Sequence, residues 1–143
     1  MEGKYKGESR ITPSCTRIIY DYYGGQERFA HFDEMMEAVD KVDSGHLTID
    51  EIQNPKGWIL IGFLMDPRTG LGRYDSKFRL NNFDFMRHVV DLIQSTSDIE
   101  EILDDPDVKA RKDFYMIEQE KFIEQLKKCS KVIDKVVLLN YKD

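Results

Sequence analysis

The sequence predicts a mainly α domain that closes on a short C-terminal β-strand. Three observations carry this. Apolar residues recur at i, i+3, i+4 and i+7 through much of the chain, and Ser, Thr, Asn and Asp stand where helices would begin. One compact run, Val136-Val137-Leu138-Leu139, has the continuous apolar character of a buried strand. At 143 residues, 41% of them hydrophobic, the chain has the length of one domain and enough apolar material for a core. Its 27 acidic and 21 basic side chains leave a net charge of −6, which excludes a uniform platform for the nucleic-acid backbone. The longest apolar run, Trp58 to Met65, is far shorter than the ~20 residues of a membrane helix. The opening Met-Glu-Gly-Lys-Tyr-Lys lacks the apolar centre of a secretory signal. Two cysteines, Cys15 and Cys129, make no disulfide framework, so the expected compartment is the cytoplasm.

Taken in order, residues 1–12 form a polar lead-in, 13–104 a helical core, 105–130 a long linker-type helix and 135–141 the strand. Thr12-Pro13 is expected to cap and start the first helix, which runs to Tyr23 and buries Cys15, Ile18, Ile19 and Tyr22 before Gly24-Gly25 stops it. A second helix, Phe29 to Val42, sets Phe32, Met35, Met36 and Val39 on one face. Thr48 and Glu51 fit a capping box for a short turn that Asn54-Pro55 ends. Trp58 to Met65 is apolar all round and reads as a buried helix. Asp66 to Arg73 contains one proline and two glycines, so it is expected to lack regular structure.

Asn81 or Asn82 caps the next helix, with Phe83, Met86, Val89, Val90 and Ile93 facing inward. Ser97 and Glu100 suggest another capping box, opening a short helix to Leu103. Pro106 opens the long helix, whose narrow stripe is Val108, Tyr115, Phe122 and Leu126 among charged residues. The final strand shows no obvious mate in the sequence. Its backbone groups would then have to pair outside this chain, with a segment beyond it, or with one more short strand.

Three sets of residues invite chemistry. Asp40 to Glu51 follows an EF-hand register in part, with Asp40 at loop position 1, Ser44 at 5, Gly45 at 6 and Glu51 at 12. Val42 stands where a side-chain oxygen is needed, and Pro55 cuts the exit helix short. Cys15, His31, His46, His88 and Cys129 lack the paired spacings of structural zinc. The Asp66–Arg73 loop carries Arg68 and Arg73, whose planar forks match phosphate oxygens. The plainer reading pairs these arginines with Asp66 or Asp75 to pin the loop.

A resemblance emerges from three stretches. They are Pro13-Ser14-x-x-Arg17-Ile18-Ile19-Tyr20-Asp21-Tyr22-Tyr23-Gly24-Gly25, then Phe32-Asp33-Glu34-Met35-Met36-Glu37-Ala38-Val39-Asp40-Lys41-Val42-Asp43-Ser44, then Asp66-Pro67-Arg68-Thr69-Gly70-Leu71-Gly72-Arg73. Their order and spacing resemble the exopolyphosphatase-like branch of the DHH phosphoesterases over nearly the whole chain. The resemblance implies the helical portion of an α/β phosphoesterase domain that uses paired manganese ions to cut phosphoanhydride or phosphodiester bonds. Of that family's metal ligands, only a late Asp at a helix end has a counterpart here, with Asp40 the first choice and Asp43 the second.

The Asp-x-Asp, Asp-His-His and glycine-rich motifs of the family are not found in these 143 residues. The resemblance therefore implies a central and linker segment with no complete catalytic set, inactive alone. Its metal site would be completed by a segment or partner chain carrying Asp-His-His, with Arg68 and Arg73 toward substrate phosphate. Polyphosphate, a short oligonucleotide and a cyclic dinucleotide all stay open as substrates, as do monomer and homodimer. Two other readings stand beside it: a non-catalytic helical interaction or oligomerisation module, and a degenerate calcium loop at 40–51.

Overall fold

The computed structural model describes residues 7–69 and 71–140; Tyr141, the last residue of the expected strand, lies outside them. The mainly α architecture with β-structure at the C-terminus is as the sequence predicts. Helix α1 spans Cys15–Tyr22, and its N-cap is Ser14, whose Oγ accepts the Arg17 N–H at 3.1 Å. The Thr12-Pro13 start is thus two residues early; Thr12 Oγ1 instead donates to the Ser14 carbonyl. The buried face also differs from expectation. Tyr20 is buried, whereas Cys15, Ile19 and Tyr22 are exposed and Ile18 is half-buried. Polar ties to a later helix, from Ser14, Arg17 and Tyr20, fix the rotation of α1 against its apolar pattern.

A short helix α2 (Gly25–Phe29) and a 3-10 turn (Ala30–Phe32) precede α3, which runs Asp33–Ser44. The expected start at Phe29 is four residues early, because Phe29 adopts φ −128°, ψ 28° and breaks the run. Gly45 ends α3 in the left-handed region at φ +72°, where a side chain would be strained. Helix α4 (Ile49–Gln53) has the expected reciprocal Thr48–Glu51 capping box.

Helix α5 (Gly57–Met65) is the buried helix foreseen, with Leu60, Ile61 and Leu64 sealed from solvent. The segment after it is more regular than proline and glycine suggest, forming 3-10 turns at Pro67–Thr69 and Leu71–Lys77. Asn81 caps α6 (Asn82–Ser95), which buries Phe85 and Val89 while Phe83, Met86 and Val90 face solvent. The inward face is therefore rotated from the one expected. Helix α7 (Ile99–Asp104) is capped by Asp98, not Ser97: Asp98 Oδ1 accepts the Glu100 N–H at 2.9 Å.

Asp105 caps α8 (Pro106–Cys129), accepting from the N–H groups of Asp107 and Val108. Val108 and Tyr115 are buried as foreseen, but Phe122 is exposed and Leu126 half-buried, so only the first half of α8 is packed. The C-terminal run has a mate within the chain. Strand β1 (Ser130–Ile133) pairs antiparallel with β2 (Val136–Leu139) in the register Ile133↔Val136. Asp134 supplies the tight turn at φ +53°. The expectation of an unpaired strand is corrected.

One core joins α5, α6, α7 and α8 through Leu60, Leu64, Leu71, Phe85, Val89, Ile102, Val108 and Tyr115. Each such side chain contributes about 1.5–3 kcal/mol by leaving water. Helix α3 packs on α5, and α1 packs on α3 as an outer layer. No helix among the described residues is long and apolar enough to cross a membrane.

Candidate functional site

Asp40 and Asp43, three residues apart on α3, open onto different surfaces. Asp40 is largely enclosed and fully partnered. Ser14 Oγ donates to its Oδ1 at 2.6 Å, and Arg17 reaches its Oδ2 through Nε at 2.8 Å and Nη2 at 2.6 Å. That bonding holds the Arg17 guanidinium above its ordinary pKa. Asp40 borders a cavity shared with Ile11, Pro13, Lys41 and His46.

Asp43, one turn nearer the end of α3, is exposed, and no cation among the described residues pairs with it. It lines a groove of about 410 Å³. Val39 and Val42 of α3, Trp58 and Met65 of α5, and Met86 of α6 supply apolar walls, and Asp66 and Arg68 enter from the loop. Helix ends create this arrangement: α3 and α5 both stop here, and Pro67 turns the chain across their ends.

Asp66, the C-cap of α5, holds Arg68 in a fork. It accepts from the Arg68 backbone N–H at 2.8 Å, from Nε at 3.0 and 2.9 Å, and from Nη2 at 2.7 Å. These donors pull the Asp66 carboxyl below its ordinary range. The pairing matches the pinning role read from sequence, yet the Arg68 side chain remains 88% exposed, leaving much of the guanidinium open to a ligand. Arg73 is exposed on the following 3-10 segment and does not line the groove. The structure thus brings Asp43 and Arg68 together and sets Asp40 and Arg73 apart. Asp66 joins the pair as a carboxylate that sequence reading treated only as a pin.

The calcium register does not form. Asp40 to Ser44 lies within α3, Asp40 faces Arg17, and Glu51 is bonded to Lys41 and Thr48. A coordination loop needs those positions wrapped around an ion. Among the described residues, one group of metal-type donors does converge elsewhere: His88, Asp105 and Asp107, with ligand atoms within 4.8 Å of one another. Its oxygens already have partners. Asp105 Oδ1 caps α8 and meets His88 Nε2 at 3.0 Å, while Arg79 forks onto Asp107 and keeps its carboxyl below the usual range.

No family model and no curated protein matches the chain. Among solved structures, PggH from Vibrio cholerae, described as a pGpG-specific phosphodiesterase, superposes with a TM-score of 0.82 and 43% sequence identity over 90% of this chain. The chain resembles part of a phosphodiesterase. It spans 43% of the length of PggH, so the match concerns the scaffold that carries the groove.

Proposed function

We propose that the chain is the central and linker segment of a DHH-type phosphodiesterase of the exopolyphosphatase-like branch, acting in the cytoplasm on a short guanine dinucleotide such as pGpG. One observation carries this reading: 43% identity over nearly the whole chain to a phosphodiesterase named for that substrate. The groove suits the role. Arg68 offers an exposed fork for phosphate, and the apolar wall with Trp58 suits a base.

The donor chemistry fits manganese at one corner only. Asp43 presents an exposed hard oxygen, whereas Asp40 would have to exchange Arg17 for a cation. Asp43 is therefore the better ligand of the two, and the remaining ligands, Asp-His-His among them, would come from a segment outside these residues. Paired ions would supply Lewis-acid charge and a water of lowered pKa. This chain's own part is to hold Asp43 at the end of a packed helix, to orient a substrate phosphate on Arg68, and to shield one side of the reacting group with Trp58 and Met86.

A graft tests the reading. The matching segment of PggH is replaced by this chain, and pGpG hydrolysis with manganese is compared with that of the 143-residue chain alone. Hydrolysis by the graft and none by the chain alone supports the proposal. A well-folded but inactive graft would sink it and favour the second reading, a helical interaction module. That reading draws on the exposed Val132, Ile133, Val136, Val137, Leu138 and Leu139 of the hairpin.

A further inference from the structure

Among the described residues, Arg111 is the one charged side chain in the buried set, at 1% exposure, and nothing described so far uses it. Its guanidinium lies between two rings, 4.4 Å from the Phe78 centroid and 4.3 Å from that of Phe85. Burial draws its pKa down, while Asp75 and Asp107 work the other way. A buried cation is costly unless its donors are used, and Arg111 directs both Nη1 and Nη2 at one segment.

Nη2 donates to the Leu80 carbonyl at 2.8 Å and stands 3.8 Å from Asp75 Oδ1, a buried oxygen that has no other partner. Nη1 reaches Asn82 Oδ1 at 3.5 Å, and Asn82 Nδ2 in turn donates to the Met65 carbonyl at 3.3 Å. Met65 is the residue before Asp66. One guanidinium thus reaches the start of the arginine loop through Asn82 and Met65, and the stretch that follows the loop through Asp75 and Leu80. The other ties between this segment and α8 include the Tyr74–Glu118 hydrogen bond, the contacts of Tyr74, Lys77 and Phe78 with Phe114 and the Arg79–Asp107 fork, and all of these fall after Arg73.

We infer that Arg111 is a positioning residue for the Asp66–Arg73 loop, setting the reach of Arg68 toward substrate phosphate from the far side of the core. The inference rests on the proposed phosphodiesterase reading.

The Arg68 resonance is read on the 143-residue chain, and pGpG affinity on the PggH graft that carries it. Arg111→Met keeps an apolar body between the rings but removes every donor. Asn82→Ala cuts the link to Met65 while leaving the ring stack in place, and so serves if Arg111→Met fails to fold. Tyr74→Phe is the control, since it loosens the loop only at Glu118. Two readouts are taken: the Arg68 Nε–Hε resonance, which reports the Asp66 fork, and pGpG affinity by calorimetry.

The expected result is a displaced Arg68 resonance and roughly ten- to a hundredfold weaker pGpG binding in Asn82→Ala and Arg111→Met, with neither change in Tyr74→Phe. An unmoved resonance and wild-type affinity in Asn82→Ala would overturn the positioning role. If the unsubstituted graft does not bind pGpG while the resonance still moves, the phosphodiesterase reading of the groove is lost. Arg111 is then a structural tie and nothing more.

Discussion

Arg17 holds Asp40 with two nitrogens, Nε at 2.8 Å and Nη2 at 2.6 Å, and so binds the first turns of α1 to the later turns of α3. Both side chains are mostly shielded from water, which removes much of the screening that makes surface pairs weak. The Ser14 hydroxyl completes the carboxylate at 2.6 Å while its oxygen caps α1. One small network therefore decides which face of α1 turns inward.

Removing either member leaves the other partly unpaired in a poorly solvated place. Arg17→Met and Asp40→Asn are each expected to cost about 1–3 kcal/mol, read from urea unfolding midpoints. The double variant is expected to lose less than the sum. Strictly additive losses would show that the two do not act as a pair.

Acid sensitivity is expected from Glu51. Its carboxyl is held at about 2, against an ordinary 4.5, first by Lys41 and then by the Thr48 N–H and hydroxyl. A carboxyl depressed in the fold stabilises it above the ordinary value, and that stability drains away as pH falls from about 4.5 toward about 2. Glu51→Gln should flatten this part of the stability–pH curve and leave the region above pH 6 with the same slope. An unchanged acid limb would rule the linkage out.

The cap of α7 separates two neighbouring residues. Asp98→Ala is expected to lower stability by about 1 kcal/mol, because its side chain accepts the Glu100 N–H. Ser97→Ala is expected to stay within about 0.5 kcal/mol. Thermal unfolding of the two variants side by side decides it, and equal losses would count against the Asp98 cap.

Activity in the graft distinguishes the two candidate aspartates. Asp43→Asn is expected to reduce kcat by about a hundredfold or more, and Arg68→Ala to raise KM about tenfold. Chelation should abolish turnover and manganese should restore it. Should Asp40→Asn remove activity and Asp43→Asn leave it intact, the ligand is Asp40, and Arg17 must give way to the ion.

How far the sequence was legible depends on where the deciding partner lies. The Thr48–Glu51 box, the Asn81 cap, the Pro106 start and the buried Trp58–Met65 helix are local, and local spacing sufficed. The faces of α1 and α6 were misjudged because neighbours chose them: Tyr20 turns inward toward Asp33, and Phe85 turns toward Arg111. Strand β1 answers the one more short strand expected, but its place was not assigned although Asp134-Lys135 between two apolar runs is a hairpin signal; the preceding charged helix hid it.

At the site, Asp43 and Arg68 were read individually, and their shared groove arises only where α3 and α5 end together. Asp66 could have been weighed from its place at the end of an apolar helix. Nothing in the sequence sets Arg111 apart from the other charges of its helix.

Helix α8 rises about 1.5 Å per residue, so its stretch from Gln119, whose amide donates to the Ile52 carbonyl, to Cys129 is about 15 Å long. The Tyr74–Glu118 and Gln119–Ile52 hydrogen bonds stand at the base of that stretch. A tilt of about 10° at the base would swing the hairpin at its tip by nearly 3 Å, given that length. A load on the ribbon would fall first on those two contacts, one of which holds Tyr74 in the 3-10 segment after the arginine loop.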